Sequence, residues 1–273
     1  MQADARGLQL TTSSPEAAGL IDAAVGDYLD YGVGASGKLK AALDRDPSFA
    51  MAQCFRGYFM MMLEMRAVLP KVQQTIAELE PRLPTLTRRE QLHVQALSAW
   101  AAGDILKACA AWEAIITDHP HDLLAIKLHH TIAFYTGRSQ VMRSVLEGAL
   151  GEWDEQVSGY GYVQGMYAYA LEECGEYAQA ESWGRLAVAR NGGDLWAVHS
   201  VAHVLEMQAR TAEGVAWLPY TAGHWAAKNP FKAHVWWHAA LFAMAQGDVE
   251  RVLAIYDNEL NSVNTENYVD VSN

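Results

Sequence analysis

The sequence predicts an all-α fold, an α-α superhelix of stacked helical hairpins forming one continuous domain over residues 1–273. Three observations carry this prediction. Apolar residues recur at three- and four-residue spacing, no segment alternates like a strand, and Gly and Pro punctuate the chain about every dozen residues, the rhythm of short helices joined by tight turns. With 273 residues, 51% of them apolar, the chain has enough material to bury a core without staples.

The elements follow in order. In W-A-A-G-D-I-L-K-A-C-A-A-W-E-A-I-I-T-D-H-P a helix ends at Gly103, the next carries Ala108 and Trp112 one turn apart, and Pro120 closes the unit. That is the second half of a tetratricopeptide repeat. The small residue lets the two helices of a hairpin approach, while the bulky one fills the gap to the next hairpin. The spacing recurs at Gly175, Ala180 and Ala187 and at Gly247, Val252 and Tyr256, with weaker copies ending at Pro47, at Gly137 and near Thr211. Stacking about six or seven such hairpins places the first (A) helices near 47–66, 87–102, 121–136, 157–173, 194–209 and 230–246, lining a concave side. Residues 1–80 read as less regular hairpins and 86–260 as better-formed repeats. The two prolines in E-P-R-L-P-T-L, 80–86, mark the clearest break. Thr87 with Glu90 three residues later fits a capping box, so Arg88 and Arg89 are expected as surface ion-pair partners and His93 lies early in that helix. Met60, Met61, Met62 and Met65 are expected to fill core, and His119 and His121 to face solvent.

Composition restricts partners. A formal charge of −12 with 20 basic residues disfavours nucleic acid and anionic membranes, because affinity for phosphate rests on clustered Lys and Arg. The N-terminus lacks the pattern of a secretory signal, no segment has the length and apolarity of a membrane span, and Cys54, Cys109 and Cys174 form no C-x-x-C pair. A cytoplasmic protein is expected.

One constellation points to chemistry. His199 and His203 in A-V-H-S-V-A-H-V-L-E-M, and His234 and His238 in A-H-V-W-W-H-A-A-L, are two i, i+4 pairs on neighbouring A helices. At about 100° per residue, His203 and Glu206 lie roughly +40° and −20° from His199, so all three share one face. Two such pairs and a carboxylate match the ligand needs of a divalent transition ion such as Zn or Fe, since neutral imidazole suits these metals. The set His199, His203, Glu206, His234 and His238 is therefore the candidate metal site. His130, two repeats earlier, reaches it only if the superhelix curls tightly. Trp196 and Trp237 are candidate walls of a ligand pocket, with Trp225 and Trp236 nearby. Tyr167 is placed near Gln164 and Glu172 as a candidate proton donor. No established metal motif is matched, and His130 and His203 fall where repeat proteins pack A against B helices. Three readings stay open: a bound metal, a metal-free polar pocket for a small molecule or peptide, and histidines that only pack. Ser200 points about 100° from His199 and forms no dyad with it. The glycines at 32, 34 and 37 read as a loop before a helix.

The strings L-T-R-R-E-Q-L-H-V, A-V-H-S-V-A-H-V-L-E-M and H-V-W-W-H-A-A-L, with the long run from Gly103 to Lys127, resemble the tetratricopeptide repeat protein 38 family over essentially the whole chain. Members of that family are longer, so the resemblance implies that further helices follow N-Y-V-D-V-S-N. It implies the fold and brings no assigned activity. Function is expected in one of two classes: a binding module for a protein, peptide or small molecule in a histidine-rich groove, or a metal-dependent enzyme or small-molecule-binding protein using the cluster. Few basic residues in the A helices argue against a carboxylate clamp for a peptide C-terminus.

Overall fold

The computed structural model describes residues 1–225, 227–228 and 231–261, with the backbone alone at 220 and 221. The predicted helix start at Pro230 and the C-terminal N-Y-V-D-V-S-N lie outside the described residues. The described chain is all-α apart from one antiparallel two-residue pairing, Gln2–Ala3 with Gln9–Leu10, which no alternation in the sequence announces. It divides into two compact units, residues 1–28 with 34–160, and residues 29–33 with those from 161 onward. Among the described residues no helix is long and apolar enough to cross a membrane.

In the first unit, α1 (Pro15–Leu29) and α2 (Ala35–Arg45) precede the hairpins α3 (Ala50–Met61) with α4 (Leu69–Leu79), α5 (Arg88–Ala101) with α6 (Ile105–Asp118), and α7 (Leu123–Tyr135) with α8 (Ser139–Leu150). The two-proline segment Glu80–Thr85 is a 3-10 turn between α4 and α5. Thr87 caps α5 in a full capping box with Glu90, as its spacing predicts. Asp104 and Asp122 cap α6 and α7 by accepting from the backbone N–H three residues on, which satisfies a donor the helix leaves open. Ala108 and Trp112 are fully buried, in keeping with their place in the repeat pattern, and the Trp112 ring meets Tyr58 edge-on at 5.8 Å.

Three expectations are corrected here. Arg89 is buried and donates to Asp122 Oδ2 at 2.7 Å and to the Gln9 carbonyl at 2.9 Å, so it holds α5 to α7 and to the N-terminal segment from within. Its neighbour His93 is buried too, with Nε2 3.0 Å from the same Asp122 oxygen and the Tyr58 hydroxyl donating to its carbonyl at 2.7 Å. The methionines do not fill core: Met60, Met61 and Met62 are half-buried and Met65 is exposed, because α3 stops at Met61 rather than running to 66. His119 and His121 are half-buried, and the Nε2–H of His121 donates to the Glu152 carbonyl beside the Trp153 ring.

The second unit holds α9 (Tyr160–Glu172) with α10 (Tyr177–Arg190), α11 (Leu195–Met207) with α12 (Thr211–Ala222), and α13 (Phe231–Ala245) with α14 (Val249–Ile255), the last running into a π-turn at Tyr256–Leu260. Gly184 on α10 sets the approach to α11, since a Cβ there would meet Val201 Cγ2 at 2.6 Å. Gly103, Gly137, Gly175 and Gly247 end α5, α7, α9 and α13 with positive φ, the left-handed cap that glycine adopts without penalty. After α11 the same place is taken by Ala209 at φ 55°. Ala209→Gly is therefore expected to stabilise the fold by about 0.5–1 kcal/mol, the relieved Cβ strain outweighing the extra freedom of the unfolded chain. A raised urea midpoint at unchanged slope would be the signature, and a lowered midpoint would contradict it.

Candidate metal centre

The site is built on α9, α11 and α13 of the second unit. Asp194 caps α11 by accepting from Ala197 N–H at 3.1 Å, and Leu195, Val198, Val201, Ala202 and Leu205 are buried in the unit's apolar core. Once that stripe is committed to the core, the 3.6-residue period turns His199, His203 and Glu206 together to another side. Helix α13 repeats the division: Val235, Ala239 and Phe242 join the core, and His234 and His238 face α11.

The four imidazoles converge. Each of His199, His203, His234 and His238 offers a ring nitrogen, and these lie within 4.8 Å of one another. His234 is central: its Nε2 is 2.9 Å from Nε2 of His199 and 3.2 Å from Nε2 of His238. Ligands of a tetrahedral zinc ion with bonds of about 2.0–2.1 Å stand about 3.3 Å apart, so these separations are near what one ion requires. His199 and His238 are buried, while His203 and His234 are partly exposed.

Carboxylates stand behind the rings. Glu206 Oε2 accepts from Nδ1–H of His238 at 2.8 Å, which leaves the His238 Nε2 as a lone pair aimed at His234. Without an ion, His234 Nε2 either shares one proton between two neighbouring nitrogens or sets its own lone pair against that of His238; a cation would engage the lone pairs of all three. The Glu206 carboxyl is held below its usual range chiefly by that hydrogen bond, so it is ionised at neutral pH. Burial pushes His238 below the usual imidazole value, more than Glu206 raises it, which keeps the ring in the neutral form a metal needs. Glu172, at the end of α9, is buried and brings Oε2 to 3.5 Å from Nδ1 of His203.

Aromatic rings enclose the cluster. Trp196 lies 5.2 Å from the His199 ring, and Phe231 and Trp237 stack on His234, each at 5.5 Å between centroids. Tyr31, on the segment 29–33 that belongs to this unit, stacks in turn on Phe231 at 4.5 Å.

The predicted residues sort as follows. All four histidines, Trp196 and Trp237 come together. Glu206 joins them through the Nδ1 edge of His238, opposite the nitrogen that faces the cluster, so it is placed to orient a ligand rather than to be one. His130 lies buried on α7 in the first unit and is not among the grouped nitrogens. Tyr167 packs edge-on to Trp183 at 5.4 Å, and it is Tyr169 that stacks on His199 at 5.5 Å and meets His203 edge-on. The signal for this was present: Glu172 is five residues from Tyr167, about 140° around the helix, but three from Tyr169, on the same face. Phe231 and Tyr31 had no comparable mark in the sequence.

No family model matches the chain. Among solved structures it is similar to a tetratricopeptide repeat protein from Parabacteroides merdae, at 15% identity and a TM-score of 0.55, covering 95% of this chain and 97% of that one. It also aligns with the tetratricopeptide repeat domain of P58(IPK) at 12% identity over 89% of this chain and 73% of that one, with a TM-score of 0.31 that carries no weight. The first likeness shows the fold: an all-α helical repeat of the tetratricopeptide type, as the sequence predicts.

Proposed function

We propose that this helical-repeat chain binds one divalent transition ion, zinc or iron, in the second unit. One observation carries the reading: three Nε2 atoms from two neighbouring helices stand 2.9 and 3.2 Å apart in sequence, with a fourth imidazole beside them. A carboxylate on the far nitrogen of His238 supports it, because metal-ligating histidines characteristically donate their other N–H to such a group. The strings shared with the tetratricopeptide repeat protein 38 family favour membership of that family, and the functional reading rests on the geometry alone. A protein, peptide or small molecule is then the partner that the ion and its aromatic surround would present or transform.

Elemental analysis of protein purified without an affinity-tag metal, then offered Zn2+ and dialysed, is expected to find close to one equivalent, lost in a His199→Ala, His238→Ala variant. Absence of bound metal together with unchanged thermal stability in that variant would overturn the reading and favour histidines that pack.

A further inference from the structure

A second site lies wholly within the second unit, and the chain itself occupies it. Residues 29–33, Leu-Asp-Tyr-Gly-Val, belong to that unit. The Asp30 carboxylate is received by side chains from different elements. Its Oδ1 accepts from the Tyr162 hydroxyl on α9 and from the Asn191 amide after α10, each at 3.2 Å, and its Oδ2 pairs with the Lys228 ammonium ahead of α13. The donors are held for this purpose. Asn191 Oδ1 accepts from Gly193 N–H at 3.0 Å, which turns the amide NH2 toward Asp30. Burial, and after it the charge of Asp30, push the Tyr162 hydroxyl above its usual value, so it stays a donor at neutral pH. The Lys228 side chain is only 13% exposed, and a cation withdrawn from water to that extent calls for an anion beside it.

Next to this carboxylate seat is an aromatic slot. The Tyr31 ring lies nearly parallel to Phe231, at 4.5 Å and 20°, and to Trp196, at 6.1 Å and 19°. Seat and slot together read two consecutive side chains, an acid and then an aromatic. The backbone that delivers them is strained: Tyr31 has φ 54°, a left-handed conformation that Cβ crowding disfavours in any residue but glycine. Such strain persists only where surrounding contacts impose it, and a separate peptide is free of it. We propose that Tyr162, Asn191, Lys228, Trp196 and Phe231 form a recognition site for a partner protein's peptide segment in which Asp precedes an aromatic residue, and that residues 29–33 are an internal ligand which such a segment displaces. None of these residues is a proposed metal ligand, so the site stands whether or not the histidines hold an ion. Tethering keeps the internal ligand at a high effective concentration, so an outside peptide binds the intact chain weakly and gains affinity once the internal segment is disabled.

A fluorophore-labelled peptide of sequence Leu-Asp-Tyr-Gly-Val, capped at both ends and followed by anisotropy against the full chain, tests this. An Asp30→Ala, Tyr31→Ala variant should bind it at least about tenfold more tightly than wild type, because the internal competitor is gone. Adding Lys228→Glu to that variant, or replacing the peptide's Asp by Asn, should reverse the gain by about tenfold or more. In wild type, unlabelled peptide at millimolar concentration should speed amide hydrogen exchange across residues 29–33 by at least about threefold, a readout that needs no variant and decides alone if the double variant does not fold. Binding no tighter in the double variant than in wild type, with exchange across 29–33 unchanged, would overturn the proposal and leave the segment a structural strut. Tighter binding that ignores both Lys228→Glu and the peptide's Asp would overturn it too, as adhesion to bared rings without recognition of the acid.

Discussion

Asp122→Ala is expected to cost the protein about 3–5 kcal/mol, the usual consequence of leaving a buried charge without its partner. Asp122 is buried at the start of α7, where one carboxylate oxygen accepts from Arg89 at 2.7 Å and lies 3.0 Å from His93 Nε2, and the other caps the helix through Ala125 N–H at 2.9 Å. Alanine removes all of these acceptors and strands the Arg89 guanidinium in the interior. Asp122→Asn keeps an oxygen for the cap and should cost less, which separates the charge from the cap. The pH dependence has a defined sign. Burial alone would raise the Asp122 carboxyl, but the positive charges of His93 and Arg89 overcome it and hold the group far below the usual carboxylate range. A depressed folded-state value means that the stabilisation is complete above the unfolded value of about 3.9 and is lost as pH falls below it toward the folded value. Urea unfolding at pH 7 and at successively lower pH should therefore show the gap between wild type and Asp122→Ala narrowing only below about pH 4. A gap under about 1 kcal/mol at pH 7 would show that the network contributes little.

Glu206→Ala should weaken metal binding by about 10- to 100-fold without abolishing the site, the range found when the outer partner of a ligating histidine is removed. Glu206 is half-exposed and on the edge of His238 away from the other nitrogens, so its loss frees the ring to rotate and to place its proton on either nitrogen. Capacity at saturating Zn2+ should stay at one equivalent. Glu206→Gln, whose amide oxygen can still accept the Nδ1–H, should fall between wild type and alanine. Competition with a chromophoric chelator measures all three. Loss of the equivalent itself in Glu206→Ala would make Glu206 a ligand, and unchanged affinity would remove it from the centre.

The limits of three A helices were legible closely, while α3, expected over 47–66, spans only Ala50–Met61. The A helices expected at 87–102, 121–136 and 194–209 are α5, α7 and α11 to within two residues at each end, because helix limits depend on local chemistry: Asp and Thr caps, positive-φ turns and a 3.6-residue apolar stripe. The two histidine pairs were legible for the same reason, since i and i+4 share a face wherever the helix sits. Arg89 and His93 were not, because the charge that draws them inward, Asp122, is supplied by the next hairpin. Met60, Met61 and Met62 were not, because nothing local says where α3 ends or what covers it.

Sequence by itself therefore determined the helical repeat, its caps and the pairing of His199 with His203 and of His234 with His238. Only the tertiary structure decided which nitrogens meet, that Glu206 backs His238, that Glu172 stands 3.5 Å from Nδ1 of His203, and that Tyr169 rather than Tyr167 lies against the rings. Helical phase is a property of the chain's own turn and is written along it. A metal site depends on separations of about 3 Å between side chains of different helices, and these follow from how close α11 and α13 pack, which no local pattern in either helix fixes.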